Sequence, residues 1–287
     1  MALPLCLERL LPRAGRQASA PQREPSPTDR AAPESHGGEG AQAVSRVYAE
    51  PMEAGMDLQL QGHKALITGA SRGIGRAIAA AFVREGASVA ICARQAEALE
   101  QARAQLATLG PGAVFAQTAD LADTAQVRGF VTAAVDALGG LDIFVHNASA
   151  MTGPGAGEEG WRQTLAVDIL AGVVGAEAAL VALERSAAAS VVFIGSTASM
   201  EFFNGPRPYG AGKAAMRTYA RELGEVWGRK GIRVNVVSLG SIDFPGSVWE
   251  RVKASDPERY ARVLQTLPLG RYGSPEEVAR AVVLAFR

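Results

Sequence analysis

Ser196, Tyr209 and Lys213 have the residue types and spacing of a proton-transfer site. A tyrosine and a lysine four positions apart fall on one face of a helix, one turn from each other. A phenol holds its proton near neutral pH and a nearby ammonium favours the phenolate, so such a pair can give up or take a proton during a reaction. Ser196 stands thirteen residues before Tyr209, just past a predicted strand, where its hydroxyl could donate to an oxygen on which negative charge grows. A surface helix carries the same tyrosine–lysine spacing by chance, and that reading stays open.

A second group is Thr68-Gly69-Ala70-Ser71-Arg72-Gly73-Ile74-Gly75, between a predicted strand and a predicted helix. In a doubly wound sheet this is where a dinucleotide pyrophosphate sits, on free N–H groups at the helix start. The spacing G-x-x-x-G-x-G differs from the G-x-G-x-x-G fingerprint, and the bland alternative is a tight turn with no ligand. The next predicted strand ends at Ala93-Arg94, where NAD sites carry a carboxylate. Arg94, with Arg72 on the glycine turn, suits a 2′-phosphate, so NADP(H) is expected over NAD(H) unless both arginines are merely solvated.

The elements that must position these groups alternate between short β-branched runs and Ala-rich helical stretches, the signature of a parallel sheet covered by helices. Strands are expected at 64–68, 88–93, 113–118, 141–146, 190–194 and 233–239. Helices are expected at 73–85, 95–109, 123–138, 161–183, 208–230 and 275–286, with short ones over 247–267. The fold class is α/β, a doubly wound parallel sheet of six strands. Residues 1–55, rich in Ala, Pro, Arg and Ser, form an expected disordered extension, and 56–287 a single domain.

The 29 basic and 29 acidic residues balance, which argues against nucleic acid as a partner. Two cysteines and three histidines leave little for a metal centre, and none is expected. Asp168, Glu177, Glu184 and Arg185 interrupt the longest apolar stretch, so no membrane span is expected.

In combination these motifs resemble the classical short-chain dehydrogenase/reductase family, in particular its NADPH-dependent β-ketoacyl-acyl carrier protein reductases. Further matches are Asp120-Leu121, Asn147-Ala148, Ile232-Arg233-Val234-Asn235, Pro268-Leu269-Gly270-Arg271 and Pro275-Glu276-Glu277-Val278-Ala279. The resemblance implies hydride transfer between NADP(H) and a carbonyl or secondary alcohol, with Ser196, Tyr209 and Lys213 catalytic and Lys213 also on the nicotinamide ribose. It places Gly69, Ser71, Arg72, Gly73, Ile74, Gly75 and Arg94 along the adenosine-phosphate side. Asp120, beside Leu121, would meet the adenine, Asn147, beside Ala148, the adjoining ribose, and Ile242 the nicotinamide. It also implies a homo-oligomer, a dimer or tetramer, while two well-separated cysteines, Cys6 and Cys92, make a reducing, cytoplasmic setting the default expectation.

The chain departs from that pattern at several places. Asp168 stands where the family has a catalytic asparagine that holds a relay water, and His146 and Ser149 alter the usual Asn-Asn-Ala-Gly. Leu239 replaces a Pro-Gly turn and Phe244 a threonine at the cofactor. The family continues past position 287 into a seventh strand, so a truncated form with an exposed edge on the sixth strand is expected. These departures keep a catalytically silent nucleotide-binding protein in play. A remote third reading is a serine hydrolase, since Gly69 to Gly73 also reads G-x-S-x-G and Ser71, Asp120 and His146 follow hydrolase order.

Overall fold

Alternating side chains on each strand face opposite layers, and here both layers are apolar, so every strand but the outermost reads as a continuous hydrophobic run. The computed structural model describes residues 58–202 and 205–286, and the extension expected over 1–55 lies outside them. The strands are β1 (Lys64–Thr68), β2 (Ser88–Ala93), β3 (Val114–Thr118), β4 (Ile143–His146), β5 (Ser190–Ser196) and β6 (Arg233–Leu239). They form one parallel sheet in the order β3-β2-β1-β4-β5-β6, as the alternating pattern requires. The helices are α1 (Gly73–Arg84), α2 (Ala96–Leu106), α3 (Thr124–Leu138), α4 (Gly157–Leu183), α5 (Pro208–Trp227), α6 (Val248–Ser255), α7 (Pro257–Thr266) and α8 (Pro275–Ala285).

Two buried layers follow from the strand period. Ile67, Ile91, Val145 and Val192 face α1, α2 and α8, while Leu66, Ala90, Phe144, Val191 and Phe193 face α3, α4 and α5. Chain order reverses on either side of β1, between β2 and β4, and in open sheets of this kind the crevice beyond the strand C-termini at that point receives ligands.

Helix α4 differs from the expected span. It starts at Gly157 instead of Trp161, and its middle, Thr164–Leu170, winds as a π-helix between two α-helical stretches. Its length and apolarity alone would suffice for a membrane crossing. Yet Ala176, Ala179 and Leu183 are buried in the sheet-facing core, and Asp168 points inward, as in the core helix of a globular domain.

Candidate active site

Lys213 is the centre of the arrangement. It lies one turn after Tyr209 on α5, is 3% exposed, and its Nζ donates to the Ile194 carbonyl at 3.0 Å. The same Nζ stands 3.4 Å from Asp168 Oδ1 and 5.7 Å from the centroid of the Tyr209 ring. Asp168, fully buried, accepts the Ala150 N–H on its other oxygen at 2.9 Å. A widened π turn re-aims side chains within a helix, and here it accompanies the inward turn of Asp168 toward α5.

Ser196 ends β5, two residues beyond the carbonyl that holds Lys213, and is 7% exposed. Its Oγ accepts the Ala198 N–H at 3.2 Å, which leaves the hydroxyl hydrogen to donate elsewhere. Two glycines that the sequence reading passed over bring these groups together. A Cβ on Gly210 would stand 2.9 Å from the Ala198 carbonyl, and one on Gly212 would stand 2.5 Å from Thr164 Cγ2. Without them α5 could not approach the Ser196 turn and α4 so closely. The signal was present in Tyr209-Gly210-Ala211-Gly212-Lys213, because glycine in a helix interior usually marks close packing.

Beside this group lies His146, 2% exposed, at the end of β4. Thr68 Oγ1 accepts the N–H groups of Asn147 at 3.0 Å and Ala148 at 3.2 Å, so its hydroxyl hydrogen goes to His146 Nδ1 at 3.2 Å. The imidazole is therefore the Nε2–H tautomer. Its Nε2 lies by the Val167 and Asp168 carbonyls of the π turn without a well-aligned hydrogen bond. Burial first, and then the Lys213 charge, push its pKa down from 6.5 to about 4.

The glycine turn is built as expected. Gly69 and Gly73 have φ of +67° and +55°, which favour glycine. A Cβ on Gly75 would stand 2.4 Å from the Gly69 carbonyl oxygen and 2.5 Å from Asn147 Nδ2, so Gly75 lets α1 pack closely on the turn that precedes it. Arg72 precedes α1 with no side-chain cap, and the first N–H groups of the helix can meet an anion. Ser71 and Ile74 flank it on the same turn. Asn147 Nδ2 donates to the Thr68 and Gly69 carbonyls, both at 3.0 Å, so this amide braces the turn. Ala148 packs 3.0 Å from where a Gly69 Cβ would be. Arg94 and Asp120 line a cavity of about 330 Å³ with Thr118, Ala119 and Gln126, while Leu121 is buried beside it. Ile242 bridges to Gly273 in parallel and packs its Cδ1 against it.

These residues fit a bound dinucleotide: uncapped helix donors, glycines where a Cβ would collide, and an arginine-lined cavity at the end of β2. Phe244, which lies on Gly73, crowds the turn. The hydrolase arrangement does not form. His146 Nδ1 is engaged by Thr68 and Asp120 Oδ1 by the Ala122 N–H, and no hydrogen bond joins either to Ser71. Cys92 is buried, which pushes its thiol up to about 12 and removes it as a nucleophile. No cluster of three metal-ligating side chains occurs among the described residues.

The short chain dehydrogenase profile matches residues 63–254. The chain belongs to the short-chain dehydrogenase family. It is 34% identical over 227 residues to isoepoxydon dehydrogenase of Penicillium expansum, covering 78% of this chain and 87% of that one. It is 33% identical over 232 residues to the rhamnolipids biosynthesis 3-oxoacyl-[acyl-carrier-protein] reductase of Pseudomonas aeruginosa, covering 78% and 89%. A solved short chain dehydrogenase from Burkholderia cenocepacia, in complex with NADP, superposes with a TM-score of 0.72 at 32% identity, covering 79% of this chain and 91% of that one. Membership in an oxidoreductase family excludes the serine hydrolase and accounts for the parallel sheet and the glycine turn together.

Proposed function

We propose that this chain transfers hydride between NADP(H) and a small carbonyl compound or secondary alcohol. The observation that carries the reading is Lys213, an ammonium 3% exposed and tied to Ile194 and Asp168 beside the Tyr209 ring. Burying an ammonium is costly, and this placement sets a positive charge beside the Tyr209 ring. When bound, the nicotinamide supplies or accepts the hydride. In the reducing direction Ser196 donates its free hydroxyl hydrogen to the carbonyl oxygen, and Tyr209 delivers a proton to the same oxygen. Lys213 offsets the charge left on Tyr209, and Asp168 keeps Lys213 in place.

Choice of NADP(H) is supported by Arg72 and Arg94, neither of which has an ion-pair partner among the described residues, and by the NADP complex of the Burkholderia relative. Asp120, Leu121, Asn147, Ala148 and Ile242 complete the proposed cofactor wall. A 3-oxoacyl thioester is the narrower substrate proposal, supported by likeness to the Pseudomonas reductase. A homo-oligomer, dimer or tetramer, is supported by Trp161, Leu165 and Val181 on α4 and Val226 on α5, large apolar side chains that stand about half exposed. Its proposed setting is the cytoplasm, where the free thiol of Cys92 would persist.

The test is NADPH oxidation by the full chain against a carbonyl panel that includes an acetoacetyl thioester, with NADH in parallel. Tyr209→Phe should lose about 10²- to 10⁴-fold in turnover while its Kd for NADPH stays unchanged. Equal loss of binding and turnover would overturn the assigned role. Tight NADPH binding with no turnover on any carbonyl would favour the silent nucleotide-binding protein.

A further inference from the structure

After β6 the chain crosses the C-terminal edge of the sheet and touches the glycine turn twice. The Phe244 ring lies against Gly73 so closely that a Cβ on that glycine would stand 2.3 Å from Cε2 and 2.6 Å from Cζ. Two residues on, a Cβ on Gly246 would stand 2.9 Å from Arg72 Nη1. Both contacts fall at the start of α1, where the helix has no side-chain cap.

The crossing segment is firmly framed. Asp243 N–H donates to the Gly273 carbonyl at 3.0 Å, and the Ser247 N–H closes a turn onto the Phe244 carbonyl at 2.8 Å. Asp243 also accepts from Ser247 Oγ at 2.7 Å and from the Tyr260 hydroxyl at 2.8 Å, and Tyr260 stacks on Tyr272 at 4.5 Å between centroids. The ring is thus held on the turn by the segment that carries it.

A benzene ring offers the free N–H groups at a helix start no good acceptor, whereas a diphosphate offers several. Ring and anion want the same surface. We propose that Phe244 sets the affinity of this chain for its dinucleotide, because the ring must leave Gly73 before a diphosphate can seat on the α1 amides. The inference rests on the reading of this turn as a dinucleotide site. Apparent affinity falls by the fraction of molecules in which the turn is open, so a ring that covers it nine-tenths of the time weakens binding about tenfold.

Titration of NADPH fluorescence on the full chain tests it without reference to activity. Phe244→Ala should tighten Kd about tenfold, with Phe244→Leu in between, and stopped-flow mixing should place the gain in the association rate. Thermal unfolding without NADPH checks that both variants fold, and the leucine variant carries the test if the alanine one does not. Equal or weaker binding by a folded variant overturns the inference and makes the ring part of the binding wall. If neither the parent chain nor a variant binds NADPH or NADH, the dinucleotide reading itself falls with it.

Discussion

Acid should destabilise this protein through one imidazole. His146 is neutral in the fold because burial and Lys213 oppose its charge, and because Thr68 has both hydroxyl lone pairs engaged and can only donate to Nδ1. The unfolded chain binds a proton there near pH 6.5, the folded one only near pH 4. Between those values the unfolded state holds more protons, so stability is full above about pH 6.5 and falls as pH drops toward 4. A gap of 2.5 units, at 1.36 kcal/mol per unit, amounts to about 3 kcal/mol, a sizeable part of a typical 5–15 kcal/mol. Urea unfolding of the parent chain and of His146→Asn, at pH 7.5 and again at 4.5, isolates the effect. Asparagine keeps an amide to meet Thr68 but does not titrate. Glu277, held down at about 2 by its hydrogen bond from Arg271, changes below this window and is common to both chains. The parent should lose about 3 kcal/mol more than the variant on acidification. Identical losses in the two chains would refute the account of His146.

Further substitutions test the packing of the site, with Gly129 on α3 as a control away from it. Gly212→Ala gains about 1 kcal/mol of helix propensity but drives a Cβ to 2.5 Å from Thr164 Cγ2, so a net loss of stability of about 1–2 kcal/mol is expected. Gly129→Ala, with open space around it on α3, should instead stabilise by about 1 kcal/mol, and thermal unfolding showing the same sign for both would contradict the reasoning. Asp168→Ala leaves a buried ammonium without its counter-charge and should cost about 3–5 kcal/mol in urea unfolding at pH 7. Asp168→Asn also removes the counter-charge but keeps an acceptor for the Ala150 N–H, so it should cost less than alanine by about 1 kcal/mol; either variant as stable as the parent chain would argue against the ion pair.

The amino-acid sequence by itself determined the alternation of strands and helices, the glycine turn and the Ser196, Tyr209 and Lys213 spacing. These are local patterns, set by side-chain period and by glycine at positive φ, and they are legible without knowing what lies across the core. Helix bounds near 161 and the π turn at 164–170 were not legible, because a π turn reflects what the neighbouring helix demands and leaves no period of its own. Tertiary structure alone decided that Asp168 meets Lys213, that His146 is a neutral core imidazole instead of a hydrolase base, and that Phe244 rests on Gly73. Each of these joins residues far apart in the chain, and the energy of a buried charge or ring depends on the groups folded around it, which residue spacing does not record.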